Sequence, residues 1–500
     1  MKSSLNIVSN KIKTLSKENY LIISMFILST LFFLVQHYFN FSWDFAAYLI
    51  NAKYFFYGGN YFEVYRAPII SLILGPLLLF GKMTPYLYIL LVSILFLYST
   101  KKLSDALFEK YFYKYKIEKS YLNVLFYFFN LNIFVLIFGI IVGTEMLALS
   151  FFQIFLAYFI LNKNSGHLLG LAFLTRYNFF IFLPFLLFNK SIKKIMKNLG
   201  LFFIVLFPWV FFNKIHWGNW FTSIADSFYL NILSRLDRVQ PFQFSSLIDV
   251  ANWLIPLVVL GVIISIRIFF KTKDKKLEDS KYPILFALIF LLFLYDIYSV
   301  PFKITRYMFN LILPISFFST IGAIFISKTI KKRIFRKVIS LILSLIFLVS
   351  LVTAGYYTYS LNDSQKMYYE SAQEIKILDI EECQVLSTHW VPVNYYSGNV
   401  RFMASTIQEG LDKNDIMLIF YQHPTMDDKF ISSEIDNYPQ LAKTNDFVII
   451  ADRSTTKENC IKSKGYSSPM RQDSCEILSK KFKVVFLEKI FQKACEMLNA

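Results

Sequence analysis

Apolar runs of near membrane-spanning length recur from Leu21 to Tyr357, and after about Ser360 the pattern breaks into short, mixed segments. Long apolar runs read as membrane helices, and the polar segments between them as loops. The pattern predicts eleven spans: 20–37, 86–100, 121–141, 146–161, 167–175, 177–188, 201–212, 253–270, 284–300, 308–327 and 339–356. The run from Ile69 to Phe80 is set apart. It is short, begins after Pro68 and is interrupted by Gly75-Pro76, so it is predicted to be re-entrant or to lie on the membrane surface. Past Ser360, strand-like runs at Gln384–Thr388, Ile416–Tyr421, Phe447–Ala451 and Lys483–Leu487 alternate with polar helical stretches at Glu370–Ile377 and Thr455–Lys464. The predicted fold class is therefore mainly α: a polytopic bundle of about eleven spans over residues 1–359, with a small soluble α/β domain over 360–500.

Charge gives these elements an orientation. Lys2, Lys11, Lys13 and Lys17 precede the first span, which places the N-terminus in the cytoplasm. If 69–80 does not cross, every later basic cluster falls on the same side: Lys101–Lys119, Lys190–Lys197, Lys271–Lys281 and Lys328–Lys337 are cytoplasmic, and the C-terminal domain is extracytoplasmic. The first run lacks a small-residue cleavage site and reads as a signal anchor. Composition agrees with a multi-pass cell-membrane protein: 56% of the 500 residues are hydrophobic and 19% aromatic. The net charge of +18 is then a basic cytoplasmic face, and no nucleic-acid partner is expected.

All four cysteines, Cys383, Cys460, Cys475 and Cys495, lie in the C-terminal domain. An even count in a domain outside the membrane permits disulfides. Cys460 with Cys475, closing a loop around GYSSPMRQD, and Cys383 with Cys495 are the expected pairs, and four free thiols the alternative. No Cys–His spacing resembles a zinc site, and the domain shows neither a phosphate-binding glycine loop nor a nucleophile elbow.

In this topology the outer helix ends collect Asp44, Glu63, Tyr65, Arg66, Glu145, Arg176, Asn213, His216, Asp226, Lys303, Arg306 and Tyr307. Ionisable groups close to lipid are costly and mark sites. Each also has an ordinary use. Asp44 can cap the helix that begins at Phe45. Arg66 and Arg176 can snorkel, Glu145 suits a helix N-terminus, and Arg306-Tyr307 suits an interface anchor. The conjunction outweighs these uses, because the cytoplasmic ends show Lys-rich, acid-poor clusters, whereas Arg66, Arg176 and Arg306 all sit at outer boundaries. A forked, permanent cation suits phosphate.

Several short motifs accompany these residues: WDFAAYLINAKYFFYGGNYF with Asp44, YRAPIISLILGPLL with Arg66 and Pro68, and GTEMLAL with Glu145. Further along come LGLAFLTRYNFFIFLP with Arg176, PWVFFN ending at Asn213, and ITRYMFNLILP with Arg306 and Tyr307. In their order, over roughly Tyr20 to Ser327, they resemble the GT-C superfamily of lipid-phosphate-sugar glycosyltransferases, near its protein-mannosyltransferase and aminoarabinose-transferase branches. The departures are an Ala67-Pro68 pair where branches often carry Pro-Pro, and a Phe after Asp44 where protein O-mannosyltransferases carry Asp-Glu. The WWD and Asp-x-Asp motifs of oligosaccharyltransferases are missing, which argues against transfer of whole oligosaccharide blocks.

The resemblance implies transfer of one sugar, with inversion, from a polyprenyl- or dolichyl-phosphate donor to a glycan, lipid or protein acceptor on the outer face. Asp44 is the expected general base, with Glu145 the second catalytic candidate. Arg66, Arg176, Lys303 and Arg306 are expected at the donor phosphate, and Glu63, Tyr65, Asn213, His216 and Tyr307 at the substrate. No cofactor and no metal are expected. The rival reading, a lipid or sugar-lipid flippase, is disfavoured because ionisable residues are nearly absent from mid-span positions, where transporters place their sites. Asp296 is the nearest exception.

Overall fold

A computed structural model of the chain describes residues 17–463, apart from residues 60, 189–190, 233–234, 236–238, 272–276, 302, 330–332, 361–364, 388, 403–406, 408–410, 412–415, 422–434 and 453–457. The described chain forms two compact units. One takes in residues 17–35 and 89–358, the other residues 36–88 and 359–463. The loop that follows the first helix thus belongs to the same body as the C-terminal domain.

The helices begin with α1 (Lys17–Phe39), α2 (Trp43–Tyr57), α3 (Ile69–Leu77) and α4 (Thr84–Lys110). Among the described residues, seven segments are long and apolar enough to cross a membrane: Tyr20–Phe39, Ile69–Lys110, Ile192–Trp217, Ser245–Phe270, Ser280–Ser299, Thr305–Lys328 and Leu341–Tyr359. They match seven of the eleven expected spans, and the chain is a multi-pass membrane protein. The other four expected spans are shorter: α5 (Lys119–Asn130) with α6 (Ile133–Phe138), α7 (Glu145–Ile160), α8 (Gly166–Thr175) and a 3₁₀ segment at Tyr177–Leu187. Within Ile69–Lys110 the helix is broken at Gly81, whose φ of 54° suits glycine, and α3 packs on α2.

The helical unit continues through α9 (Ile192–Trp217), α10 (Thr222–Asn231), α11 (Ser245–Ala251), α12 (Ile255–Lys271) and α13 (Leu277–Ser299). A 3₁₀ turn at Thr305–Leu311 then leads into α14 (Ile312–Thr329) and α15 (Arg333–Ser360). Its most extensive helix pairing joins α12 to α14. A Cβ on Gly261 would stand 1.9 Å from the Phe318 carbonyl oxygen, and one on Gly322 would stand 2.3 Å from that of Leu257. Small residues at matching positions let two membrane helices approach backbone to backbone, where dispersion rather than water expulsion holds them.

In the second unit, α16 (Gln365–Ile377) precedes a five-stranded sheet in the order β2 (Val400–Phe402), β1 (Val385–Ser387), β3 (Ile416–Phe420), β5 (Phe447–Ala451), β4 (Gln440–Lys443). β1 runs parallel to both β2 and β3, and β5 is antiparallel to β3 and β4. β3 and β5 are buried at every position, which their unbroken apolar sequences IMLIF and FVIIA require of central strands. The helix α17 (Trp390–Ser397) links β1 to β2 and ends at Gly398, whose φ of 82° gives a left-handed cap.

Three sequence expectations fall differently here. Lys483–Leu487 lies outside the described residues. The helical reading of Thr455–Lys464 is overturned where the chain is described, because Lys462 bridges Cys383 as an antiparallel pair. That bridge also overturns the expected cysteine pairing. It brings the Cys383 and Cys460 Cα atoms to 5.6 Å, and these two form the disulfide; Cys475 and Cys495 lie outside the described residues. Thiol labelling in denaturant without reductant should leave Cys383 and Cys460 unmodified, and both should react once reductant is added. Opening a loop of 77 residues should cost the domain about 4 kcal/mol. Labelling of either residue before reduction would refute the pairing.

Candidate functional site

The second unit builds a compact ionic cluster from two short elements. Ser42 caps α2: its Oγ accepts the Phe45 N–H at 3.2 Å. The capping role open to Asp44 in the sequence is therefore filled by Ser42, and Asp44, in the first turn of α2, is available for something else. Its Oδ1 accepts a hydrogen bond from Arg66 Nη1 at 2.6 Å, while Arg66 Nε donates to Glu63 Oε2, also at 2.6 Å. One guanidinium fork thus joins two carboxylates, with side chains 17% (Asp44), 1% (Glu63) and 11% (Arg66) exposed. Charge-assisted contacts of this length in a poorly solvated place are strong and directional.

Glu63 is fixed from both sides. Its backbone N–H donates to Asn51 Oδ1 at 2.8 Å, and Asn51 Nδ2 returns a bond to the Glu63 carbonyl at 3.0 Å. The Tyr61 hydroxyl reaches Glu63 Oε1 at 3.4 Å. Asn51 lies two helical turns beyond Asp44 on α2, so a single helix carries both the carboxylate and the clamp for its neighbour's partner. The Arg66 guanidinium lies 5.4 Å from the ring of Tyr48 and 4.9 Å from that of Tyr65, and Nη2 donates to the Tyr65 hydroxyl at 3.4 Å. Burial pushes the Tyr65 phenol well above its usual range; Arg66 opposes the shift and Glu63 adds to it, so Tyr65 stays a neutral O–H at physiological pH.

The C-terminal domain supports this cluster through α17. Trp390 meets Trp43 edge to face at 5.4 Å and Tyr61 at 4.7 Å. These two are the residue before Asp44 and the residue that bonds Glu63. On the far end of α2, the Lys53 ammonium donates to the Tyr395 carbonyl and lies 4.4 Å from the Tyr395 ring, and burial lowers its pKa. Asn51, Tyr61, Lys53 and Trp390 were not singled out from the sequence as site residues. Aromatics in an apolar chain carry no pattern of their own; Asn51 and Lys53, polar residues in a mostly apolar helix, gave a signal that could have been read.

The helical unit holds a second acid–cation pair. Glu145, at the first position of α7, accepts from Arg176 Nη1 at 2.8 Å through Oε1 and from Thr144 Oγ1 at 2.8 Å through Oε2. Arg176 sits in extended conformation between α8 and the following 3₁₀ segment. Two residues on, Asn178 Nδ2 donates to Asp296 Oδ2 at 2.9 Å.

The remaining sequence candidates in this unit are spoken for locally or lie at its surface. The Lys303 ammonium donates to the carbonyls of Ile297, Tyr298 and Val300, closing the C-terminal end of α13, a use that suits a cation at a helix C-terminus. Asn213 is fully buried, donating to the Trp209 carbonyl at 2.7 Å and accepting the Ser223 N–H at 2.8 Å, which ties α9 to α10. His216 is exposed and stacks on Phe212 at 3.9 Å. Arg306 lies 5.9 Å from the Tyr307 ring, both on the 3₁₀ turn before α14. Contacts within the units thus join Asp44, Glu63, Tyr65 and Arg66 in one, and Glu145 with Arg176 in the other.

No protein-family model matches the sequence, and no curated protein sequence does. Solved structures do match. ArnT from Cupriavidus metallidurans, in a structure bound to undecaprenyl phosphate, aligns over 88% of this chain and 99% of its own, with a TM-score of 0.57 and 9% identity. The archaeal oligosaccharyltransferase AglB from Archaeoglobus fulgidus, in complex with an inhibitory peptide and a dolichol-phosphate, aligns over 80% of this chain and 69% of its own, with a TM-score of 0.50 and 11% identity. The fold is therefore GT-C, the one to which the sequence motifs point.

Proposed function

We propose that the protein is a membrane glycosyltransferase that moves one sugar from a polyprenyl-phosphate donor to an acceptor hydroxyl. The observation that carries the reading is the Asp44–Arg66–Glu63 cluster, a carboxylate paired with and oriented by a clamped guanidinium on a GT-C fold. Two structures that share the fold hold undecaprenyl phosphate and dolichol-phosphate, which supports a lipid phosphate as donor.

In the proposed reaction Asp44 accepts the proton of the acceptor hydroxyl as its oxygen bonds to the anomeric carbon. The bond from that carbon to the lipid-phosphate oxygen breaks, and the phosphate leaves with the electron pair, so the configuration inverts. General-base catalysis of this kind contributes about 10²–10⁴-fold. We assign Arg66 to holding Asp44 rather than to the donor phosphate, because two carboxylates already share its charge and a phosphate brought to the trio would meet a net negative group. Lys303 is set aside from the phosphate role as well, since the three carbonyls on it occupy its three donors.

The orientation follows from the basic clusters: the N-terminus is cytoplasmic, and the unit that carries Asp44 and the C-terminal domain is extracytoplasmic. A reporter fused after Ala500 should register outside and one inserted near Lys276 inside; a cytoplasmic C-terminus would overturn this orientation. The activity is tested by supplying purified protein with radiolabelled polyprenyl-phosphate sugars and a membrane extract as acceptor. Release of free lipid phosphate together with a labelled, non-lipid product supports the transferase. Movement of the intact donor across the bilayer without cleavage supports the flippase instead.

A further inference from the structure

The helical unit contains a cavity of about 430 Å³ lined by none of the residues assigned above. Its walls come from the end of α7 (Phe159, Ile160), the end of the adjoining 3₁₀ segment (Phe185, Phe188) and the start of α13 (Tyr282, Ile284, Leu285, Leu288). Phe185 and Ile160 form a buried floor, while Phe188, Ile284 and Leu288 are exposed, so the cavity opens along an apolar surface. Two polar residues complete its lining, Asn162 and Lys281. Lys194 adds a second cation, because its ammonium donates to both the carbonyl and the side-chain oxygen of Asn162.

Glu278 and Asp279 precede Lys281, yet the flanking chain is basic: residues 190–197 carry four lysines and no acid, and residues 271–281 five lysines against three acids. Lys194 and Lys281 both sit in the opening turns of their helices, α9 and α13, where the helix dipole adds to their positive field. An apolar slot the size of one fatty-acyl chain, with two ammonium groups from net basic stretches near its mouth, is complementary to an anionic lipid. Basic pockets between membrane helices recognise such head groups, and the volume lies in the usual range for ligand sites. In the orientation proposed above the mouth faces the cytoplasmic leaflet, where anionic lipids concentrate.

We propose that this groove is a binding site for an anionic glycerophospholipid, with one acyl chain in the slot and the phosphate between Lys194 and Lys281. A polyprenyl carrier fits less well, because a long isoprenoid far exceeds the slot. The site is separate from the proposed reaction and stands whether or not that reading holds.

Native mass spectrometry of the purified full chain with added phosphatidylglycerol or phosphatidylcholine tests it, each read as the fraction of protein that retains lipid. The wild type should retain phosphatidylglycerol about tenfold better than phosphatidylcholine. Lys194→Gln with Lys281→Gln should abolish that preference, and Leu288→Trp, which narrows the slot without touching the charges, should lower retention of both lipids. Equal retention of the two lipids by the wild type, or an unchanged preference in the lysine variant, would overturn the proposal. So would undecaprenyl phosphate displacing phosphatidylglycerol in a lysine-dependent way, which would give the groove to the carrier. Folding of each variant is checked by its melting temperature in the same detergent.

Discussion

Asp44→Asn is expected to lower sugar transfer by at least about 100-fold, the lower end for loss of a general base, while donor binding is largely kept. Asparagine preserves the shape of the side chain but cannot take the acceptor's proton. The structure makes the experiment cleaner than the sequence allowed. Because Ser42 caps α2, the substitution leaves the helix start intact. Ser42→Ala supplies the matching control: it should cost about 1 kcal/mol of stability with far less effect on turnover. Asp44→Asn also loses the ion pair with Arg66, so thermal melting must accompany the kinetics. A protein that melts near the wild-type temperature and transfers sugar at a near-normal rate would remove Asp44 from the role of base, and Glu145 or Glu63 would be examined next.

Arg66→Ala should be the most damaging single change in stability. It leaves the Glu63 carboxylate, with 1% of its side chain exposed, and the Asp44 carboxylate without the cation they share. Removing one partner of a buried ion pair typically costs about 3–5 kcal/mol, because the remaining charge stays desolvated. The contacts of the guanidinium with the Tyr48 and Tyr65 rings are lost as well. Arg66→Lys separates charge from geometry. A single ammonium restores the charge but cannot reproduce the fork that sends Nε to Glu63 and Nη1 to Asp44. Stability should recover in part, and turnover should remain depressed. Full recovery of turnover in Arg66→Lys would show that the fork does not position Asp44. A melting temperature unchanged in Arg66→Ala would show that the carboxylates are solvated well enough to stand alone.

Much of this protein was legible before any coordinates. Apolar run length located the helices because a bilayer demands it, and seven of the expected spans reappear as helices of full length. Of the four others, 146–161, 167–175 and 177–188 reappear within a residue at each end as α7, α8 and the 3₁₀ segment, whereas 121–141 is broken at Leu131-Asn132, a turn that a hydropathy window averages away. Strands β1, β3 and β5 were visible as apolar runs, whereas β4, with the sequence QLAK on the sheet edge, carries no such signal. Asp44, Glu63 and Arg66 stood out because ionisable groups are rare in an apolar chain.

Sequence alone determined the membrane class, the approximate spans, the small α/β domain and the residues bearing charge, since each follows from local composition read against the cost of burying polar groups in lipid. Tertiary structure decided which charges meet. It gave Arg66 to two carboxylates, placed Arg176 on Glu145 and turned Lys303 back onto the end of its own helix. It paired Cys383 with Cys460, 77 positions apart. It joined the loop of Asp44 to the C-terminal domain through Trp43, Tyr61 and Trp390, residues separated by more than three hundred positions. Contacts of that range depend on the chain folding back on itself, and the orientation of a guanidinium or an indole is set by the packing around it, which no local pattern of hydrophobic and polar positions encodes.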